Sequence, residues 1–161
     1  MLPVWKTLDS KEIREISDMP NGVYGFVYEL VFDDNTRYIG KKCVFSTRKY
    51  KIASKPKTYK GTVIGQVRKN VAGKRIEFNI VKEESNWKNY TGSSKQCEKK
   101  RPIQRNILEF AFTPLELTYG EAAYLFKNDV LGKEMYLNDN ILGSFYKGRL
   151  DDYFRRKYSN S

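Results

Sequence analysis

Histidine is absent from this 161-residue sequence, and cysteine occurs only twice. The absence of histidine removes the usual general base, the Ser-His and Cys-His nucleophile pairs, and histidine ligands for zinc. Cys43 and Cys97 lie far apart and at no metal-ligand spacing, which argues against a structural zinc site and indicates reduced thiols in a cytoplasmic protein. Any acid–base chemistry must therefore come from tyrosine, lysine, a carboxylate, or water on a hard cation.

Long apolar runs are also missing, since no stretch approaches the length of a membrane span and no apolar signal core opens the chain. Positive charge is in excess, with 30 Lys and Arg against 19 Asp and Glu and a net charge of +11. Such an excess favours a polyanionic partner, and nucleic acid is the commonest one for a protein of this size. The length predicts one domain over residues 1–146, followed by a basic tail at 147–161.

Residues 22–48 predict a β-hairpin around which the domain is organised. An apolar, aromatic and β-branched run, Val23 to Phe32, meets a polar break at 33–35, and a second run returns from Arg37 to Phe45. Tyrosines in such a pattern are also ordinary residues of an amphipathic sheet. Their spacing across the two arms therefore decides whether they can act together.

The register of the hairpin determines which tyrosines share a face. With a three-residue loop and Asn35 in the left-handed conformation, Tyr28 lies opposite Gly40 and on the same face as Tyr38. The two tyrosines are then diagonal neighbours, about 7–8 Å apart at the backbone, and their hydroxyls can meet at one phosphate. Tyr24 would lie about 20 Å along the strand from Tyr38, at about 3.4 Å per residue. A two-residue loop would instead put Tyr28 and Tyr38 on opposite faces.

Hydrophobic periodicity and turn residues predict the other elements, which together give an α/β (α+β) fold. Residues 54–60 have no period and predict a mobile loop, and residues 135–145 predict an Asn-rich turn. Helices are predicted at 5–18, 61–73 and 117–130, with a fraying helix in the tail, and a strand at 76–81. The apolar run at 102–112 suits a strand or a helix, and the strand is favoured as the third of the sheet.

Two basic stretches are candidates for contact with nucleic acid. Residues 46–60 interleave six cations with Tyr50 and Tyr59, which suits a surface that tracks a backbone and stacks bases, or equally a solvated loop. Further on, Ser94 and Lys95 lead into a predicted Lys-rich helix start, where backbone amides, a hydroxyl and a cation can hold a phosphate. The alternative there is a plain serine N-cap.

Six motifs occur in one order between residues 25 and 141. They are Gly-Phe-Val-Tyr, Tyr-Ile-Gly-Lys-Lys, Trp-Lys-Asn-Tyr-Thr-Gly-Ser-Ser-Lys, Ile-Leu-Glu-Phe, Leu-Thr-Tyr-Gly-Glu-Ala and Asn-Asp-Asn-Ile. As an ordered set they resemble the GIY-YIG endonucleases, and within these the phage-encoded homing-endonuclease-like group. The resemblance implies a small domain with a central three-stranded antiparallel sheet flanked by helices. It also implies cleavage of DNA phosphodiester bonds with one divalent cation, Mg²⁺ or Mn²⁺.

The resemblance also assigns roles to individual residues. Tyr28 matches the first motif tyrosine and would act as the base or position the attacking water, while Tyr38 matches the second and would orient water and phosphate. Arg48 would neutralise the phosphate in the transition state, Glu121 would hold the metal, and Asn140 would help to fix the scissile phosphate. A tyrosine pKa is ordinarily about 10, so a base role needs a nearby cation that favours the phenolate.

Some of these assignments have competitors within the sequence. The first motif has its glycine one residue further back than the family pattern, so Tyr24 is a second candidate for the first motif tyrosine. Another Tyr-x-Gly string makes Arg101 an alternative to Arg48. Thr118 and Glu121 also have the spacing of a capping box, which alone would explain that glutamate.

Side chains near the two motifs are implied to contact DNA. Lys42 lies on the Tyr38 face by alternation and is well placed for a phosphate, with Lys41 beside it. Ser94 and Lys95 are the other two residues that are implied to contact DNA.

The sequence therefore predicts a metal-dependent DNA endonuclease. A non-catalytic basic nucleic-acid-binding protein is the alternative, and a nuclease fold that serves as an assembly or inhibitor module is a third. So short a chain leaves little room for a separate DNA-reading domain, so a homodimer or a protein partner would be needed for long-site specificity. If phage-encoded, the protein would act in the host cytoplasm.

Overall fold

β-Strands dominate the part of the chain that the computed structural model describes, residues 1–52 and 58–159. Met1–Lys42 and Trp87–Ser161 form one unit, and Cys43–Asn86 forms a second. The strands are β1 (Trp5–Thr7), β2 (Glu12–Ile13), β3 (Gly25–Phe32), β4 (Arg37–Cys43), β5 (Phe45–Lys51), β6 (Thr62–Val71), β7 (Lys74–Glu84), β8 (Pro102–Ala111), β9 (Asn140–Ile141) and β10 (Phe145–Tyr146), and the α-helices are α1 (Pro114–Lys127) and α2 (Asp151–Ser159).

The predicted hairpin, β3 and β4, forms one side of a five-stranded sheet with the order β2-β1-β8-β3-β4. In its loop the Phe32 amide donates to the Thr36 carbonyl at 2.9 Å, and Asn35 has a φ of +64°. The three-residue loop is therefore confirmed. The strand predicted at 102–112 is confirmed as β8, which pairs antiparallel with β3 and parallel with β1. The α/β fold class is confirmed, with β1 and β2 extending the predicted three strands to five.

The helix predicted at 5–18 is wrong, because this segment forms β1, β2 and a 3-10 turn at Ile16–Asp18. Ser10 has a φ of +68°, which is incompatible with a helix running through this position. Trp5 pairs with Ile13 across the two strands, and each is only 1% exposed. The apolar residues whose spacing predicts a helix are thus buried by two short strands at the side of the sheet.

The helix predicted at 61–73 is also wrong, because its β-branched residues form β6, which pairs with β7. Ala72 and Gly73 have φ values of +49° and +76°, as a two-residue hairpin turn requires. The strand predicted at 76–81 is confirmed as the middle of β7, which has β5 on its other side. Most of the loop predicted at 54–60 lies outside the described residues.

The late helix begins earlier than predicted, at Pro114, where Thr113 Oγ1 accepts a hydrogen bond from the Glu116 amide at 3.1 Å. The Glu116 carboxylate accepts in turn from the Phe112 amide at 2.7 Å, so these residues complete the cap. Glu121 lies in the middle of α1, and the capping-box explanation for it is therefore wrong. Among the described residues, no helix has both the length and the apolar character needed to cross a membrane.

The segment predicted as a basic tail contains a 3-10 turn and α2. The rings of Phe154 and Tyr158 approach the backbone after α1 so closely that a Cβ added at Gly132 would lie 2.8 to 2.9 Å from them. Lys157 forms an ion pair with Asp129 at 2.8 Å. The amphipathic face of α2 therefore packs against the turn that ends α1.

Aromatic side chains cover the face of the sheet that carries Tyr28. The rings of Trp5, Phe26 and Tyr28 meet edge to face, and Trp87 joins Phe26 in the same way at 6.4 Å between centroids. The Trp5 indole donates to the Trp87 carbonyl at 2.9 Å, which ties the β1 side of the sheet to the segment before β8. All four rings are buried, so the position of Tyr28 is fixed by the core.

A buried arginine holds the same segment in place. Arg105, only 5% exposed, donates to the carbonyls of Pro3 at 2.6 Å, Lys88 at 2.7 Å and Tyr90 at 3.3 Å. Its guanidinium lies 4.7 Å from the centre of the Trp5 ring. Burial lowers the pKa of Arg105 to about 10, so the side chain remains charged at neutral pH.

Replacing Arg105 by methionine is expected to lower the free energy of unfolding by about 2–3 kcal/mol, because three carbonyls are deprived of a charged donor. Both tryptophans of the chain lie in the first unit, so their fluorescence during urea unfolding reports on this change. Arg101→Met is the control, since exposed Arg101 donates only to the Met1 carbonyl among the described residues. Equal unfolding free energies for the two variants would contradict the prediction.

Candidate active site

The segment after α1 lies along the free edge of β4. The Leu137 amide donates to the Arg37 carbonyl at 2.8 Å, and the Arg37 amide donates to the Met135 carbonyl at 2.7 Å. The buried Asn138 side chain then accepts from the Ile39 amide at 3.1 Å and donates to the Ile39 carbonyl at 2.7 Å. One amide group thus satisfies both backbone groups of Ile39 and holds the residues that follow against β4.

A cavity of about 220 Å³ lies beside this edge, between β4, α1 and the residues around Asn138. It brings together three of the predicted catalytic residues, which lie far apart in the sequence, and one predicted DNA contact. Its polar wall consists of Tyr38, Lys41, Glu121, Asn138, Asp139 and Asn140.

Lys41 connects β4 to α1 at the cavity wall. Its ammonium lies 3.0 Å from Glu121 Oε2 and donates to Thr118 Oγ1 at 3.1 Å. The Glu121 side chain is 19% exposed, so this pair is less screened by solvent than a surface ion pair. Thr118 and Lys41 therefore fix the direction in which the Glu121 carboxylate points.

The two motif tyrosines share one face of the sheet, as the predicted register required. The Tyr28 and Tyr38 rings lie 6.4 Å apart between centroids, with Gly40 beside both. Tyr28 is 1% exposed and meets the Tyr90 ring edge to face at 5.7 Å. Tyr38 is half-buried and reaches the cavity, so Tyr28 supports it from the core side.

The environment keeps both phenols protonated. Burial raises the pKa of Tyr28 well above its ordinary value, and the neighbouring phenols of Tyr90 and Tyr38 add to the shift. Burial likewise raises the pKa of Tyr38, with further contributions from the carboxylates of Glu121 and Asp139. Within this chain alone, the two tyrosines are therefore hydrogen-bond donors at neutral pH.

Asp139 is a residue of the cavity that the sequence did not single out. Its carboxylate accepts from Gln96 Nε2 at 2.7 Å and from Asn140 Nδ2 at 2.8 Å. The Asn140 side-chain carbonyl accepts from the Gly143 amide at 3.2 Å, so this asparagine also orders its own turn. The Asn-Asp-Asn string was the available signal for Asn138 and Asp139, but as a sequence pattern it predicts only a turn.

The helix predicted to start at Lys95 is wrong, because residues 93–99 form bends and turns. The Ser94 hydroxyl donates to the Gln96 side chain, and Ser94 Oγ accepts from the Gln96 amide at 3.3 Å. Such local bonds compete with a helix. Ser94 is thereby linked through Gln96 to Asp139 at the cavity, while Lys95 is exposed.

The two candidate arginines each have a partner within their own unit. Arg48 belongs to β5 in the second unit, where its guanidinium lies 3.6 Å from the carboxylate of Glu83. Arg101 is exposed and donates to the Met1 carbonyl at 2.8 Å. The role that the resemblance gives Arg48 stays a prediction.

The remaining predicted residues lie around the tyrosine pair. The Lys42 ammonium is 4.2 Å from the centre of the Tyr90 ring, on the Tyr38 face as predicted. Tyr24 precedes β3, and its amide donates to the Ala111 carbonyl at 2.8 Å. Tyr28, within β3, is the tyrosine whose ring meets that of Tyr38.

The donors at the cavity suit a hard divalent cation. Glu121 and Asp139 are carboxylates that line the same cavity, while the Asn140 side-chain carbonyl accepts from the Gly143 amide. In the described ranges, no three His, Cys, Asp or Glu side chains gather as a metal site. Mg²⁺ is commonly held by one or two carboxylates, with waters and phosphate oxygens as its other ligands. The chemistry of the two carboxylates is thus compatible with a cation whose other ligands are water and substrate, and the cation itself stays a prediction.

Comparison with known proteins gives one match. A protein-family model described as "Putative endonuclease segE, GIY-YIG domain" matches residues 5–141, which is most of the chain. The matched range includes β3, β4, α1 and every polar residue of the cavity wall. No curated protein and no solved structure matches the chain.

Proposed function

The chain belongs to the GIY-YIG endonuclease family, and from that membership we propose that it cuts DNA in the cavity beside β4, with Mg²⁺ or Mn²⁺ held by Glu121. Family membership makes it a nuclease that hydrolyses phosphodiester bonds, and it favours this function over that of a non-catalytic binder. The observation that carries the proposal is that Glu121 and Tyr38 line one cavity, with Tyr28 packed against Tyr38.

The protonated phenol of Tyr38 donates a hydrogen bond to a phosphate oxygen or to the attacking water. Tyr28 holds the Tyr38 ring in position, and a base role for Tyr28 would require a cation close enough to lower the pKa of its phenol. Lys41 brings a positive charge to the same wall, where it can neutralise a phosphate oxygen. Arg48 as the transition-state arginine and Asn140 as a phosphate contact are proposed on the resemblance alone.

A divalent cation would neutralise charge on the phosphate and lower the pKa of a bound water. Glu121 is the central ligand in this proposal, because its carboxylate is partly buried and is oriented by Lys41 and Thr118. Asp139, on the same wall, is available as a second carboxylate.

Supercoiled plasmid tests the proposal directly. Purified protein is expected to convert it to nicked or linear DNA with Mg²⁺ or Mn²⁺, and not with EDTA. An electrophoretic shift in EDTA should show that DNA still binds when cutting stops. Cutting at an undiminished rate in EDTA would rule out the cation, and binding without cutting under both conditions would rule out the proposed function.

A further inference from the structure

Most of the net positive charge of the chain lies in its second unit. Cys43–Asn86 contains eleven Lys and Arg and three Glu, which gives +8 of the total of +11. In the described part of this unit, the regular structure is a three-stranded antiparallel sheet with the order β5-β7-β6. A unit with so much charge of one sign repels itself, unless that charge meets an anionic partner.

The pairing register sorts the charged residues onto two different faces. On one face, which we term the lysine face, Lys49 lies opposite Ile80, and both Lys51 and Val67 lie opposite Phe78. All of these side chains project to the same side because opposite residues in a ladder share a face. The lysine face carries Lys49, Lys51, Lys69, Lys74 and Lys82 around Val67, Ile76, Phe78 and Ile80, with Phe45 and the single carboxylate of this face, Glu84, at one end.

The opposite face carries Arg48, Arg68 and Arg75, and carboxylates on the same face compensate the charges of the first two. Arg68 forms an ion pair with Glu77 at 2.6 Å, and Arg48 lies 3.6 Å from Glu83. Gln66 and Asn79, also on this side, bond to each other at 3.1 Å. Four side chains of this face that are suited to read base edges, two arginines and two amides, are therefore already engaged with other side chains.

The lysines of the lysine face have no such partners. In residues 1–52 and 58–159, no ion pair joins any of the five to a carboxylate. Lys49 and Lys69 approach each other across β7, and the neighbouring charge of Lys69 lowers the pKa of Lys49. All five lysines are exposed, so the charge is available to a ligand.

We infer that the lysine face is a docking surface for the phosphate backbone of double-stranded DNA. The inference rests on the proposed function for the choice of DNA as the polyanion, and on the lysine face for where it binds. A lysine ammonium contacts phosphate as a point charge, without the two-pronged geometry that recognises guanine. Phe45 and Phe78 are half-buried, so this face offers little platform for stacking unpaired bases. Backbone contact with a duplex, independent of sequence, is the mode that remains.

Two double variants that remove the same charge test the inference. Lys49→Gln/Lys69→Gln removes two positive charges from the lysine face, and Arg68→Gln/Arg75→Gln removes two from the opposite face. Affinity for a fluorescent duplex of random sequence, about 25 base pairs long, is measured by anisotropy over a range of KCl in EDTA, so that cleavage does not interfere. Far-UV circular dichroism confirms that both variants retain their strands.

The lysine variant is expected to bind at least about tenfold more weakly at 100 mM KCl. The slope of log K against log [KCl] should fall in magnitude by about 1.8, at about 0.9 for each phosphate that the protein no longer neutralises. The arginine variant should change affinity by less than about twofold, and Lys49→Arg/Lys69→Arg should restore it. Equal reductions of affinity in both charge-removing variants, or a reduction in neither, would overturn the inference.

The same measurements separate this inference from the proposed function. Binding is read without a cation, so it does not depend on whether the protein cuts. If wild-type protein binds the duplex but leaves plasmid intact with Mg²⁺, the proposed function fails while the lysine face is still judged by the binding data. If the wild type does not bind the duplex at all, the lysine face is rejected as a DNA-docking surface.

Discussion

Replacing Glu121 by glutamine is expected to reduce plasmid cleavage in Mg²⁺ by on the order of 10²–10³-fold, while duplex binding in EDTA stays within about twofold of wild type. Glutamine keeps the size of the side chain and one oxygen but removes the negative charge that holds a divalent cation. The change also breaks the 3.0 Å ion pair with Lys41. Lys41 stays beside Thr118, so the fold should be retained.

Glu134→Gln is the matched control, because exposed Glu134 lies outside the cavity and the change in net charge is the same. It should cut at the wild-type rate. Initial nicking rates are compared over a Mg²⁺ titration, since a weakened site would regain part of its activity at high cation concentration. A Glu121→Gln protein that nicks at the wild-type rate throughout the titration would show that Glu121 is not the ligand.

The tyrosine face could be predicted from the sequence because it depends on local rules. A strand has a period of two, so the register of Tyr28 and Tyr38 follows once the polar Asp-Asp-Asn break is assigned a three-residue loop with Asn35 in the left-handed conformation. The same local reasoning failed at 5–18 and at 61–73. In both segments apolar residues three or four apart were interpreted as a helix, whereas pairing with β8 or β7 makes them strands. Tertiary pairing overrides such short periodic signals.

The cavity was predictable only in part. Glu121 and Asn140 were identified through ordered motifs of a family, since nothing in their local sequence requires them to meet. The role of Asn138 could not be predicted, because its side chain bonds the Ile39 backbone, a contact across 99 positions in the sequence. The position of Asp139 depends on Asn138, because Asn138 bonds the segment to β4 and so brings the next residue to the cavity. A long-range contact from a side chain to the edge of a strand produces no periodic pattern in the sequence, so periodicity cannot predict it.

Gly40→Ala is expected to lower the stability of the first unit by about 1–3 kcal/mol and cleavage by on the order of 10²-fold. A Cβ at this position would lie 2.5 Å from Tyr28 Oη, 2.8 Å from Tyr28 Cζ and 3.0 Å from Tyr38 Cε1. Tyr28 is enclosed by Trp5, Phe26 and Tyr90, so it cannot swing aside without disturbing the core. One methyl group therefore displaces both tyrosines at once. Urea unfolding followed by tryptophan fluorescence and initial nicking rates measure the two effects.

Gly65→Ala is the control for placing alanine in a strand, because the nearest atom to its added Cβ is Ile80 Cδ1 at 3.9 Å, an ordinary contact. It should leave cleavage unchanged and should not lower the thermal midpoint measured by circular dichroism.

A double-mutant cycle that combines Gly40→Ala with Tyr28→Ala identifies the cause of the destabilisation. If the clash with Tyr28 is responsible, Gly40→Ala should cost much less stability once the Tyr28 ring has been removed. If Gly40→Ala lowers the free energy of unfolding equally with and without the Tyr28 ring, the strain lies in the β4 backbone. Glycine would then be required at position 40 by the strand and not by the tyrosine pair.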